Sequence, residues 1–129
     1  MAERLVRMPL WTTATAIATT GSIESAVVDV RRFSGLDSLV FLVASASGTA
    51  DVKLEVAISS DGVTFTDYSD IDDLIQSTAT EFAGSPDTTH AVSLPPTLGP
   101  YVKFKFTGVN ANPADTELAS AFLWGRESE

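Results

Sequence analysis

The side chain best suited to acid–base chemistry in this chain is His90, its single histidine. A Ser-His-Asp triad would have to use it, but no G-x-S-x-G elbow or comparable motif accompanies it, and no phosphate-binding glycine loop is present. His90 alternates with Thr89 and Ala91 in a strand-like stretch, where a histidine is usually a partly buried structural residue. We therefore predict no catalytic residues and no enzymatic activity.

Acidic side chains gather at Asp67, Asp70, Asp72 and Asp73. Carboxylate oxygens are the ligands that Ca²⁺ prefers, so a calcium loop is one hypothesis for this segment. The spacing lacks the alternating D-x-D-x-D-G pattern of such loops, and the chain has no cysteine that could supply a thiolate ligand or a disulfide. We predict no metal ion and no cofactor.

Four aromatic residues, Trp11, Tyr68, Tyr101 and Trp124, raise the hypothesis of carbohydrate binding, because sugar rings stack on aromatic faces. Trp11 is the best candidate, since it is opposite in phase to the small residues around it. The alternative is that these rings pack in the core or under a loop, as large aromatic residues usually do.

The charge distribution argues against nucleic acid as a partner. The net charge is −9, and residues 54–102 contain eight acidic side chains and no basic one. A negative field of this kind repels phosphates unless the basic residues cluster, and Arg4, Arg7, Arg31 and Arg32 either form such a patch or simply flank strands. We also predict no signal peptide and no membrane-spanning segment.

The elements that must position these residues are most clearly defined at Asp51–Tyr68. Val52, Leu54 and Val56 alternate with polar residues, which is typical of a half-buried strand. Asp61-Gly62 then predicts a hairpin turn, after which the chain returns as a second strand.

Similar patterns recur along the chain, with an unbroken apolar run over residues 38–46 that predicts a strand covered on both faces. Together they predict an all-β fold, an antiparallel β-sandwich of about eight strands with a jelly-roll-like layout. The predicted shared core consists of Val52, Leu54, Val56, Ile58, Val102, Phe104, Phe106 and Phe122. In the last predicted strand, residues 117–124, the alternation places Leu118, Ser120, Phe122 and Trp124 on one face. A short helical turn is predicted near residues 70–76, with Ser69 or Asp70 as its N-cap.

The N-terminal residues combine basic and apolar side chains that cannot bury themselves alone. Because Pro9 separates them from the first predicted strand, we predict an arm at residues 1–9 and a single β-sandwich domain at residues 10–129. The arm would bind a partner by strand addition along an exposed edge, or fold back onto its own sandwich. The predicted partner-binding residues are Arg4, Leu5, Arg7, Met8, Leu10 and Trp11.

The segment Ser59-Ser60-Asp61-Gly62-Val63-Thr64-Phe65 resembles the S-x-D-G-x-x-[WF] hairpin of discoidin-like domains and of small β-sandwich structural proteins of tailed bacteriophages. The wider layout over residues 10–125 resembles the phage proteins more closely. It has a Thr- and Ala-rich entry strand, the apolar run at 38–46, the strand at 101–107 and a final Leu-Trp-Gly at 123–125.

The phage resemblance implies a virion structural protein, made in the host cytoplasm, with no catalytic residues. Its expected role is a capsid decoration or cement protein that binds the outer surface of the head and stabilises it. The expected partners are the major capsid protein and copies of itself. The alternatives are a carbohydrate-binding, discoidin-like module and a tail or baseplate accessory protein.

Overall fold

The computed structural model describes residues 3–17, 21–45, 51–70, 81–83, 88–109 and 116–128. Within these ranges the chain forms eleven β-strands and no helix, so the predicted all-β fold is confirmed. The strands are β1 (Glu3–Trp11), β2 (Thr15–Ala16), β3 (Ser22–Glu24), β4 (Val28–Asp29), β5 (Gly35–Ser45), β6 (Asp51–Ser59), β7 (Ser69–Asp70), β8 (Glu81–Ala83), β9 (Thr88–Ser93), β10 (Tyr101–Gly108) and β11 (Thr116–Ser128).

The strands form two antiparallel sheets packed face to face. The first sheet has the order β1-β11-β5-β9, with β2 also on β11; the second has the order β3-β10-β6-β7, with β4 on β10 and β8 on β6. Three pairs of strands lie in line: β1 and β2, β3 and β4, and β7 and β8. If each of these pairs is counted as one strand position, the chain has eight positions, which can be numbered in chain order. Their order is then 1-8-3-6 in the first sheet and 2-7-4-5 in the second. This is the strand order of a jelly roll.

The core lies between the inner faces of the sheets and contains most of the residues predicted for it. Six of these are at most 1% exposed: Val52, Leu54, Val56, Val102, Phe104 and Phe106. They meet side chains of the first sheet, as where the ring centroids of Phe41 and Phe106 lie 4.8 Å apart. Ile58, also predicted for the core, is half-buried at the end of β6.

The β11 strand contradicts the predicted alternation. Leu118 and Leu123 are fully buried, whereas Phe122 and Trp124 are half-buried and lie on the opposite face. The register against β5 shifts between Leu118 and Ser120, and one extra residue moves every later side chain to the other face of the sheet. The predictions that Phe122 lies in the core and that Trp124 shares the buried face of Leu118 are therefore wrong.

The residues predicted to form the arm belong to a strand as far as the structure describes them. Glu3–Trp11 is one strand, paired with β11 from Glu3 opposite Ser128 to Trp11 opposite Ala121. Pro9 lies inside this strand, where it is tolerated because an edge strand needs hydrogen-bond donors on one side only. The Thr- and Ala-rich entry strand of the predicted layout is, over its described residues 10–17, the end of β1 and the short β2.

The turn after β6 lies where the sequence predicts it. Gly62 has the positive φ of 82° that such turns require, and the Asp61 carboxylate accepts hydrogen bonds from the N–H groups of Val63 and Thr64, both at 2.8 Å. The predicted return strand is much shorter than expected. Phe65 forms an isolated bridge to β6, and Val63 is 83% exposed.

The predicted helical turn near residues 70–76 lies outside the described residues except for its first position. Asp70 and Ser69 form β7, which pairs with Glu55 and Val56, so the structure does not place either residue at a helix cap. The described part of the chain contains no helix long and apolar enough to cross a membrane.

Candidate functional site

The outer face of the first sheet carries a row of apolar side chains that crosses all four strand positions. Pro9 on β1 lies opposite Phe122 on β11, Phe122 lies opposite Val40 on β5, and Val40 lies opposite Ala91 on β9. Residues directly opposite each other in an antiparallel pair project from the same face, so these four form one continuous apolar row. Phe122 and Val40 are half-buried, and Pro9 and Ala91 are exposed.

An aromatic and basic row runs beside the apolar row. Arg7 lies opposite Trp124, and the Arg7 guanidinium carbon is 4.6 Å from the centroid of the Phe122 ring. This is the geometry of a cation–π contact. Among the described residues, Arg7 has no carboxylate partner, so its charge is stacked on a ring but not neutralised.

The six predicted partner-binding residues divide between the two sides of β1. Leu5 is 53% exposed, and it lies on the outer face with Arg7. Arg4 is exposed and forms an ion pair with Glu127 at 3.3 Å. Three further residues, Met8, Leu10 and Trp11, are partly buried and pack against the core.

The packing of Trp11 changes the sugar-binding hypothesis. Its ring meets the fully buried ring of Phe106 edge-on, with centroids 5.4 Å apart and an interplanar angle of 74°. Trp11 is therefore part of the packing between the sheets and is not the best candidate for a sugar platform. Trp124 and Phe122 are better candidates for a sugar platform, although the sequence pattern predicts that both face the core.

One signal in the sequence did point to this face. The run at residues 38–46 places apolar side chains on both faces of an extended strand, which predicts a strand covered on both faces. In the structure the inner residues Leu39, Phe41 and Val43 are buried, but Val40 and Leu42 on the other face are only half-buried. The apolar run therefore marks a surface that the described part of the chain leaves partly open.

The outer face of the second sheet is a network of charges and rings. Lys103 Nζ lies 3.6 Å from Glu24 Oε2, and Lys105 Nζ lies 3.7 Å from Glu55 Oε1. The Tyr68 ring covers both ammonium groups, at 5.5 and 4.3 Å from its centroid, and its hydroxyl donates to Glu24 at 2.8 Å. Burial, together with this hydrogen bond to Glu24, raises the pKa of Tyr68 well above its usual value. Each charge here has a partner within the chain.

The candidate catalytic and metal-binding residues that the structure describes do not come together. The His90 ring stacks at 5.3 Å from the buried ring of Phe41, as expected for a structural histidine. Asp67 is exposed, while Asp72 and Asp73 lie outside the described residues. Among the residues with described positions, no group of three or more His, Cys, Asp or Glu side chains could hold a metal ion.

The basic residues near the ends of the strands are mostly paired. Arg4 and Arg32 share Glu127, at 3.3 and 3.2 Å, and these contacts lower the pKa of its carboxyl group. Arg31 binds Asp29 through two nitrogen atoms, which lowers the pKa of that carboxyl group to about 2. The four arginines therefore do not form an unneutralised patch for phosphates.

A cleft of about 320 Å³ opens at one end of the sandwich, lined by Val30, Arg31, Phe33, Leu36, Pro96, Thr97, Gly99 and Pro100. Its polar groups are largely committed elsewhere. The carbonyl of Pro96 accepts from Leu36, that of Pro100 accepts from Val30, and the Arg31 guanidinium is held by an aspartate. An apolar cleft without converging free polar groups gives little specificity for a small ligand.

No protein-family model and no curated protein matches the chain. Solved structures with a similar fold include the following two. The PBSX exported protein XepA is 14% identical with a TM-score of 0.56, and the match covers 96% of this chain but only 38% of XepA. The CBM22-1 xylan-binding domain of Paenibacillus barcinonensis Xyn10C is 11% identical with a TM-score of 0.50, and the match covers 95% of this chain and 87% of the domain. At these identities the likeness shows a common β-sandwich fold.

Proposed function

We propose that this protein is a non-enzymatic structural protein of a tailed-bacteriophage particle, a decoration protein that binds the outer surface of the head and stabilises it. The observation that carries the proposal is the apolar row on the outer face of the first sheet. An apolar row beside a sheet edge that the described residues leave unpaired is suited to protein–protein contact.

The charges do not distinguish the two outer faces. The first sheet presents Arg7 and Arg126 together with Glu3, and Arg126 is paired to Asp37 at 3.1 Å. On the second sheet, Lys103 and Lys105 are each paired with a glutamate. The feature that favours docking through the first sheet is therefore its apolar row.

The sequence resemblance to phage β-sandwich proteins supports this role, and the fold shared with the PBSX exported protein XepA is compatible with it. The partners in the proposal are the major capsid protein and further copies of this chain, and the location is the virion. An accessory role on the tail or baseplate uses the same face and differs only in the particle part that is bound.

A binding experiment with purified particles tests the proposal. The full chain is mixed with expanded empty capsids and, separately, with purified tails, and the protein that sediments with each is measured. We expect saturable binding to capsids, loss of this binding in Ala91→Asp and Val40→Asp, and retention in Val63→Asp, which places the same charge on an exposed valine far from the face. Binding to tails alone would favour the accessory role, and binding to neither would overturn the proposal.

Carbohydrate binding is a second candidate, favoured by the outward Trp124 and Phe122 rings beside the Arg7 guanidinium. Aromatic rings with an adjacent hydrogen-bond donor are suited to sugar recognition. The shared fold with a xylan-binding domain is compatible with it. Affinity gels containing xylan and a glycan array test this candidate, which predicts that Trp124→Ala abolishes retention while Tyr68→Ala does not.

A further inference from the structure

The outer edge of β1 is a strand edge that the described chain leaves open. β1 is the terminal strand of the order β1-β11-β5-β9, and the described residues supply no strand for its second side. An open edge presents a row of backbone N–H and C=O groups that can pair with another strand.

Only part of this edge is protected. Pro9 lacks an N–H group, and the register against β11 shifts between Pro9 and Trp11, which bends the strand at that end. Residues 3–7 contain neither a proline nor a register shift. The segment available for pairing is therefore Glu3–Arg7.

We propose that residues 3–7 of β1 pair antiparallel with the same residues of a second copy of this chain. The twofold axis passes beside Leu5, so Leu5 faces its own counterpart. The two first sheets then form one continuous sheet of eight strand positions, in the isologous arrangement of a C2 dimer.

Charge selects this register over the others. Residues that lie opposite each other in an antiparallel pair project from the same face of the sheet. A twofold axis must therefore pass beside a residue that pairs with its own counterpart, and the possible registers differ only in which residue this is. An axis at Glu3, Arg4 or Arg7 places like charges directly opposite each other, which is destabilising. An axis at Val6 places Arg7 opposite Leu5. An axis at Leu5 places Glu3 opposite Arg7 on both sides of the axis.

The proposed register also meets the needs of these side chains. Leu5, 53% exposed in one copy, is covered by its counterpart. Arg7, which is stacked on Phe122 without a carboxylate partner among the described residues, gains one. Glu3 is exposed, and it accepts a hydrogen bond from the Ser34 hydroxyl through one carboxylate oxygen, which leaves the other for Arg7 of the second copy.

A charge-exchange experiment tests both the interface and its register. Glu3→Arg places Arg opposite Arg7, and Arg7→Glu places Glu opposite Glu3, so each variant should self-associate at least about tenfold more weakly than the wild type. An equimolar mixture of the two variants restores two complementary pairs, and we expect dimers of mixed composition. Sedimentation velocity of the full chain measures each case, and circular dichroism confirms that each variant is folded.

Cross-linking provides an independent measurement. The chain has no cysteine, so Leu5→Cys introduces a single thiol that lies opposite itself at the axis, within reach of a disulfide. We expect rapid oxidation to a covalent dimer, and no such product at the same concentration for Val63→Cys, which is also accessible but far from the edge.

Three results would each overturn the proposal. They are a wild-type chain that is monomeric, a Glu3→Arg or Arg7→Glu variant that remains dimeric, and an equimolar mixture of these two variants that stays monomeric. Self-association and capsid binding are measured separately, so capsid binding without dimers would leave the proposed function intact.

Discussion

The outer faces of the two sheets differ in how completely the chain satisfies them. On the second sheet, Lys103 and Lys105 each meet a glutamate and lie under the Tyr68 ring. On the first sheet, Phe122 and Val40 are half-buried in an apolar row, and among the described residues the partner of Arg7 is a ring and not a carboxylate. The described residues therefore pair the charged groups of the second face with one another, whereas they leave apolar and cationic groups of the first face partly open.

Both faces cover the same core, so this contrast allows the effects of substitutions on folding stability to be separated from their effects on binding. Removing a group from the second face should weaken the isolated chain, because a neighbour loses its partner. Removing a group from the first face should weaken association more than folding. Four experiments test this division, and those that should change stability most come first.

The same phenylalanine-to-alanine change should have very different effects inside and outside the sandwich. Phe104 is fully buried, so Phe104→Ala should lower the free energy of unfolding by about 3–5 kcal/mol. Phe122 is half-buried on the outer face, so Phe122→Ala should cost less than about 1.5 kcal/mol. Urea unfolding of both variants measures the difference, and equal costs would contradict the placement of Phe122.

Removing one cation from each outer face compares the two directly. Lys105→Ala leaves Glu55, whose side chain is only 15% exposed, without its ion-pair partner, and should cost about 1–2 kcal/mol. Arg7→Ala removes a single cation–π contact and should cost about 0.5–1 kcal/mol. Both are measured by urea unfolding at low protein concentration, where association does not contribute. A larger cost for Arg7→Ala would reverse the comparison.

The second face should also respond to alkaline pH. The folded chain keeps the proton on Tyr68 above pH 10, where the unfolded chain loses it, because burial and the hydrogen bond to Glu24 raise its pKa. The contribution of Tyr68 is therefore complete below pH 10 and declines as the pH rises above it. Stability should fall more between about pH 9 and pH 11 in the wild type than in Tyr68→Phe. Parallel pH profiles would show that the network does not hold this proton.

The smallest effects should distinguish two carboxylates, one beside each sheet. The pKa of Asp61 is lowered to about 2 by backbone N–H groups and the Ser59 hydroxyl, so its contribution is present above about pH 4 and is lost towards pH 2. Asp61→Asn should be destabilised at pH 7, and this deficit should shrink at pH 2. Glu127 relies on Arg4 and Arg32, so the deficit of Glu127→Gln at pH 7 should shrink in high salt instead. Thermal unfolding measures both, and a salt-sensitive Asp61→Asn deficit would contradict this assignment.

The sequence predicts the second sheet better than the first. In β6 and β10 the alternation is regular, so Val56 and Phe104 can be placed in the core from spacing alone. In β11 a single extra residue reverses the alternation, and nothing in the residue types shows where it lies. For this reason the sequence pattern assigns Phe122 and Trp124 to the wrong face.

The candidate site is only partly predictable for a related reason. The prediction that Leu5 and Arg7 bind a partner rests on the mixed basic and apolar character of their segment, and the structure places both side chains on the outer face of the first sheet. Pro9 suggests a break in the chain, because proline disrupts a central strand, but whether a strand is central or at an edge depends on pairing with distant residues. The apolar row is assembled from four strands, so no local pattern contains it.

The position of β11 between β1 and β5 has a consequence for biosynthesis. Arg4 and its partner Glu127 are 123 positions apart, and among the described strands β11 is the only one that pairs with β1. During translation, β1 and β5 must wait for residues 116–128 to leave the ribosome before the first sheet can form. Closing loops of this length is slow, so folding should follow the synthesis of β11 as a late, cooperative step. A nascent chain that stops before β11 keeps only the β5–β9 pair of this sheet, which is marginal by itself, and becomes a substrate for chaperones and proteases.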